Sequence, residues 1–523
     1  MVFSDASIRR ADGTEWTVRG TLEALKTAIW RRRPVLGSIM EKHGGKNLFT
    51  YSRDFLDVNP SPGLDERKPE LISIVRELVA ERLDENVADS VARQLEKRPL
   101  VSTTDHHGPI QHPFFLNANI ISALPYKEAR DETLQNLVVF SFSSTSLNNA
   151  STFARGLLFH GGMNGSRNLI KLPIFLDREK MSVVYATRPF TSEDLDRAHA
   201  ELDKKVQTNQ VTAKRAYKVH AILQTHFGAE NVLQADDANQ QFTKINYMLW
   251  PTLFRNAQDV PNLIYVDIES VVRRLLLRHH LTKNTLIYRM MFDPAARTLF
   301  LKYFNNLHGA FSLENKSGSV LFWGIDAQGH RVRLMLHDAA LQSEDGVLRF
   351  ELTPEAISDA LRNRKMYPSM ALCYLMISLY YGMKCLGGFC QVHDLTVIKD
   401  AWGQLLTDLG ETKEAEALAP VQTKELGGDG LVLAYTKTRE DDIVPATGID
   451  MILEEECDTS YEHFLALSKT VTLEEMMQPM LPEMYTVLYS AEERDPVLSC
   501  LLPDQIGKAT GLQQKIMETV VRA

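Results

Sequence analysis

The sequence predicts an α+β fold: β-rich central segments surrounded by helices, with an acidic, mainly helical C-terminal module. Three observations carry this prediction. Apolar residues recur at three- and four-residue steps before Pro99 and again after Phe190, the spacing of one helix face. Short runs of β-branched and aromatic residues cluster in 100–190 and 285–352, without the regular strand–helix alternation of a doubly wound sheet. From about residue 400 the composition turns acidic. Residues 401–523 hold 23 Asp and Glu against 9 Lys and Arg, so the rest of the chain is near neutral.

The 523 residues divide into five regions by this reading: helical 1–99, β-rich 100–190, helical 191–284, a second β region with a buried helix at 285–400, and the acidic module 401–523. Hydrophobic residues are 44% and charged residues 24%, enough apolar material for a large core and too little charge for long disorder.

Taken in order, "TLEALKTAIWRRR" carries Leu22, Leu25 and Ile29 on one face, with three arginines suited to a helix C-terminus. Pro69 opens "ELISIVRELVAERL", and "ENVADSVARQLEKR" continues as helix to Pro99. Next, "NLVVFSF", "GLLFH", "LIKLPIFL" and "SVVYATR" read as strands. Thr191 or Ser192 caps "SEDLDRAHAELDKKV", and Gly228 stops the helix "TAKRAYKVHAILQTHF". "DIESVVRRLLLRHH" is helical, with His279 and His280 at its last carbonyls. "TLIYRMMFD" and "RTLFLKYF" read as strands, and "SVLFWGIDAQGHRVRLMLHD" as a hairpin turning at Ala327-Gln328-Gly329. Thr353, Pro354 and Glu355 start a helix. "MALCYLMISLYYGMKCLGGF" (370–389) is apolar, but its embedded Lys384 and three glycines favour a buried core helix over a membrane span. "GLVLAYTK" reads as a strand, and "TLEEMMQPMLPEMYTVLY" as helix.

The chemistry is densest in "STTDHHGPIQHPFFLNANI" (102–120). Asp105, His106, His107 and His112 are residue types that bind Zn, Mn or Fe. The same histidines suit metal-free acid–base or substrate-orienting work, and a structural polar turn is a third reading. These alternatives stay open. No HExxH or HxH pattern occurs, so a metal needs a remote ligand, for which His160, His308 and His393 are candidates. If "FLNANI" is extended, Asn117 and Asn119 share one side and can position a water or a carbonyl.

"TTDHHGP" resembles the DHH motif of the DHH phosphoesterases, in which Asp and His help bind a pair of Mn ions. A strand leads into the motif and a proline follows, as in that family. The likeness covers fewer than ten residues. No DxD precedes Asp105, and the glycine-rich GGH-type segment is absent, so the family's sites are not carried over.

A glycine-rich turn, "HGGMNGSRN", follows "LLF". Gly161, Gly162, Gly165 and Ser166 can turn polar groups toward an anion, with Arg155 and Arg167 as its charge partners. It matches neither dinucleotide nor P-loop spacing. "SFSSTSLNNASTFARG" is dense in hydroxyls and amides and reads equally as a pocket lining or a solvated loop. Cys390, His393 and Asp394 are a secondary candidate group of nucleophile, base and orienter types.

The expectation is a cytoplasmic enzyme acting on a small anionic metabolite by hydrolysis or group transfer. His106, His107, His112, Asn117 and Asn119 are its candidate catalytic residues, and a divalent metal is one reading of its cofactor. Two alternatives are a metal-free, nucleotide-using transferase or ligase, and a non-catalytic protein that docks through its acidic module. Five scattered cysteines are no disulfide framework, and the first residues lack a signal-peptide core. No lipidation motif or concentrated basic patch points to a membrane or nucleic acid. The oligomeric state is not readable.

Overall fold

In the computed structural model the described residues are 7–9, 15–129, 131–162, 169–439, 442–455, 457–499 and 501–520. The fold class is α+β, as predicted. Its centre is a four-stranded, all-parallel sheet. The strands are β1 (Leu100–Ser102), β2 (Asn136–Ser141), β3 (Asn262–Asp267) and β4 (Lys384–Leu386), in the order β4-β1-β2-β3. Ser141 lies opposite Asp267 in the β2–β3 register, and Leu386 opposite Ser102 in β4–β1.

The sheet is buried on both faces, and side-chain alternation decides what covers each. Leu100, Leu137, Val139, Leu263, Tyr265 and Leu386 point into one core; Val101, Val138, Phe140, Ile264, Val266 and Cys385 point into the other. The first core holds α1 (Val18–Arg32), α4 (Pro113–Glu128), α5 (Ala238–Leu249) and α7 (Leu481–Leu488). The second holds α2 (Lys68–Arg82), α3 (Glu85–Lys97) and α6 (Gln391–Asp408). The chain thus passes between the two cores several times, and from Leu426 onward the core residues it contributes belong to the first.

Helix ends follow the sequence signals. Thr191 accepts from the Asp194 amide in a capping box, Thr353 caps the helix that Pro354 opens, and the 213–227 helix stops at Gly228. The hairpin at 322–333 forms, with Gly324 opposite Val332 and Gly329 at φ +80°.

Four readings are corrected. The segment "PFFLNANIISALPYKE" is α4, not an extended run, so the 100–190 region is less of a sheet than predicted. "LIYRMMF" and "PAARTLFLKYF" are helices; Asp293 caps the second by accepting from the amides of Ala295 and Ala296. "SVVYATR" is mostly a single 3-10 turn at Val184–Ala186. His280 does not bond the last helix carbonyls; its nitrogens meet Thr285 Oγ1 at 2.9 Å and Tyr381 Oη at 2.9 Å. In the apolar 370–389 stretch, a helical segment gives way to β4, and no helix among the described residues is long and apolar enough to cross a membrane.

Two buried cations lock the sheet to its surroundings. Lys384, 2% exposed, donates to the carbonyls of Asp54 (3.0 Å) and Asp57 (2.7 Å). Arg82 of α2 donates to Asp267 at the end of β3 at 2.5 Å. Burial works against the Asp267 charge, but Arg82 holds its carboxyl well below the usual range. Removing one partner of such a pair strands the other's charge. Arg82→Ala is therefore expected to lose about 3–5 kcal/mol of stability at pH 7 in urea unfolding. A depressed carboxyl stabilises above its unfolded pKa of about 3.9, and this is lost as the pH falls. The gap between wild type and variant should accordingly narrow in acid.

Candidate functional site

In a parallel sheet all strands end at the same edge, and clefts form beyond those carboxyl ends. Here the segments 103–107, 142–145 and 387–391 leave β1, β2 and β4 and line a cavity of about 830 Å³. Further stretches close it, among them 306–318, Asp429 in a glycine-rich loop, and Glu483 with Val487 on α7.

His106 lines this cavity, partly exposed, with its ring edge against Phe115 at 5.2 Å between centroids. Its Nδ1 is 3.1 Å from Asn149 Oδ1. That oxygen also accepts from the Ser151 amide at 3.0 Å, which identifies it as the carbonyl end. His106 Nδ1 must therefore carry the hydrogen, leaving a lone pair on Nε2. Burial lowers the pKa of His106, so the ring is neutral near pH 7. A neutral imidazole with a fixed tautomer is the form a general base requires.

The other predicted residues have different partners. His107 is fully buried. Its Nε2–H donates to the Asn239 carbonyl at 3.0 Å, and its Nδ1 accepts from Ser141 Oγ at 2.6 Å. Both nitrogens are used, and the ring bolts β1, β2 and α5 together. His112 caps α4, accepting from the Phe114 amide at 3.3 Å; burial brings its pKa down to about 4. Asn117 accepts from the amides of Leu433 and Ala434, and Asn119 donates to Asp105 Oδ2 at 2.7 Å. On a helix they diverge, which corrects the expectation that they share one side. Among the described residues no three His, Cys, Asp or Glu side chains are grouped to hold a metal, so Asp105, His106, His107 and His112 are not drawn together as a ligand set.

Asp105 is buried, with Oδ2 bonded to Asn119 and Tyr265 and Oδ1 without a partner. Burial raises its pKa to about 6. Asp429 is partly exposed, opening into the cavity, and sequence reasoning missed it. Removal from water, then the charge of Asp105, push its carboxyl up to about 7. Gly388 makes room for it: a Cβ there would lie 2.5 Å from Asp429 Oδ2.

The secondary group converges on the same cavity through a different histidine. Cys390 and Asp394 line it, but His308, not His393, bonds Asp394 through Nδ1, while its Nε2 accepts from Arg33 at 2.7 Å. Burial pushes the Cys390 thiol up to about 12, so it is no ready nucleophile. The His393 ring stands 5.7 Å from that of His308.

The predicted anion loop is held by the protein itself. Asp450 accepts from the His160 amide at 2.8 Å and meets His160 Nδ1 at 2.7 Å and Arg215 at 3.2 Å. Gly161 and Gly162 pack against Gln210 and Arg215, and Arg155 donates to the Phe175 carbonyl and Asp177. Gly165, Ser166 and Arg167 lie outside the described residues. The hydroxyl-dense segment does contribute lining: Ser144, Thr145 and Ser151 face the cavity. Buried Glu269 fixes that segment by accepting from the amides of Ser143 (2.9 Å) and Ser144 (3.1 Å).

No protein-family model matches the chain, and no curated protein matches it either.

Two outcomes are expected. In 15N-detected imidazole spectra near pH 7, His106 is the Nδ1–H tautomer, and Asn149→Ala shifts it toward Nε2–H. The second concerns stability. A carboxyl with a raised folded pKa stabilises below its unfolded value, and that contribution disappears as the pH climbs through the folded one. Relative to wild type, Asp429→Asn should thus gain stability between about pH 4 and pH 7, then level off, in thermal melts at stepped pH.

Proposed function

We propose that the chain is an enzyme whose active site is the cavity at the carboxyl ends of the sheet, and that it runs metal-free acid–base chemistry in hydrolysis or group transfer. The observation that carries this reading is the fixed tautomer of His106, with a free lone pair on a cavity-lining ring. His106 Nε2 takes the proton of a water or substrate hydroxyl as that oxygen attacks. Asn149 Oδ1 then stabilises the imidazolium through Nδ1–H. Asp429, which keeps its proton to about pH 7, gives it to the departing oxygen, and solvent then carries the proton from the His106 imidazolium back to the Asp429 carboxylate.

The lining also bears on the substrate. Asp394, Asp429 and Glu483 face the cavity, against the single guanidinium of Arg331, and hydroxyls and aromatic rings supply most of the rest. This chemistry favours a small hydroxylated molecule over the anionic metabolite expected from the glycine-rich turn. The docking alternative has less behind it. Many C-terminal carboxylates pair with the chain's own bases, as in Lys26–Glu474, Arg32–Glu493 and Lys218–Glu455.

The test is a turnover screen of pooled hydroxylated metabolites and their esters, followed by mass spectrometry. His106→Asn should cut any activity found by at least about 100-fold with unchanged folding. The rate should fall on the alkaline side of about pH 7 as Asp429 loses its proton. Activity that survives His106→Asn would overturn the reading.

A further inference from the structure

A second, smaller cavity of about 220 Å³ lies beside the first. Its walls are mainly apolar, with Val432, Met476, Met480, Leu512 and Ile516 among them and Gly507 in one wall, and Tyr435, Glu483, Asp504 and Gln513 as the polar side chains. Phe114 and Glu483 line both cavities, so the two meet at these side chains. Val487, on α7 with Glu483, is 58% exposed and lines the larger cavity, which makes the approach to the junction apolar as well.

We propose that the substrate is amphipathic: a hydroxylated head lies beside His106, and a hydrocarbon chain runs past Phe114 and Glu483 into the smaller cavity. This rests on the acid–base reading of the larger cavity and extends it to the other half of the ligand. Three arguments select a chain as the occupant. About 220 Å³ is too narrow for a helix about 10 Å across and suits a short alkyl group. Most of the wall offers no hydrogen-bonding group, which a polar ligand would need once stripped of water; the polar side chains there are Tyr435, Glu483, Asp504 and Gln513. Methionines at 476 and 480 supply flexible side chains that adjust to chains of different length. Each methylene buried there tightens binding by about fourfold.

The experiment compares 1,2-octanediol with 1,2-propanediol, the same head on a long and a short chain. Methionine-methyl NMR reads the smaller cavity at Met476 and Met480, and imidazole NMR reads His106. Octanediol should shift both sets with one affinity, at least tenfold tighter than propanediol. Gly507→Phe fills the smaller cavity; a Cβ at 507 meets nothing nearer than Gln513 Cβ at 3.7 Å, so the backbone tolerates it. In that variant the octanediol advantage should vanish while propanediol still shifts His106. Equal affinity for the two diols, or Met480 methyl signals that do not move, overturns the inference and leaves the acid–base reading standing. Methyl shifts without any change at His106 separate the two cavities. That result overturns the single spanning ligand, while the acid–base reading is decided by the His106→Asn rates.

Discussion

The parallel register of four short strands governs everything else here. A parallel sheet buried on both faces needs crossover connections, and each connection leaves the sheet at the same edge. Three loops rich in Thr, Ser, His and Gly therefore meet where the strands stop. Some of their backbone groups pair with one another, as His107 does with Phe142, and side chains satisfy others. Glu269 does this for Ser143 and Ser144, and Asn149 for Ser151. His107 ties the same loops to α5 by its ring. The buried polar groups at this edge are thus mostly scaffold, and His106 is the histidine of the cluster that brings a free nitrogen to the cavity wall.

That division explains how two adjacent histidines take opposite roles. His106 pairs with Phe142 as an isolated parallel bridge that prolongs β1 beyond its last regular residue. Neighbouring side chains in extended backbone point to opposite sides. One ring enters the interior and the other the cavity. The doublet has the composition of a metal site, and the pleat of the chain separates its members.

The sequence was most legible where local chemistry decides. Thr191 and Thr353 mark helix starts because their side chains satisfy first-turn amides, Pro69 because it has no amide hydrogen to leave unpaired, and Gly228 because the chain can leave the helix there. It was least legible where burial is complete. Residues 115–126 of α4 are all buried, so no polar stripe reports the helical period. β4 is only three residues long and hides inside an apolar run for the same reason. The helices at 286–304 read as strands because Ile, Tyr and Phe punctuate both; the better signal was Asp293 before Pro294. At the site, the histidine doublet and the hydroxyl-dense segment were visible from composition. Asp429 was not, and His308 stood only as one of three remote candidates, since each reaches the cavity from more than 200 residues along the chain and only tertiary packing brings them there.

The place of β4 has a consequence for how the protein is made. β1 lies between β2 and β4, yet β4 begins 284 residues later in the chain, at Lys384. During synthesis, β1 has its neighbour on one side early and waits for the other until three quarters of the polypeptide has left the ribosome. For that interval its second edge, and the carbonyls of Asp54 and Asp57 that Lys384 will hold, stay without their final partners. Such distant pairing slows folding and leaves a sticky intermediate. The nascent chain is therefore a natural client for chaperones until β4 slots in beside β1.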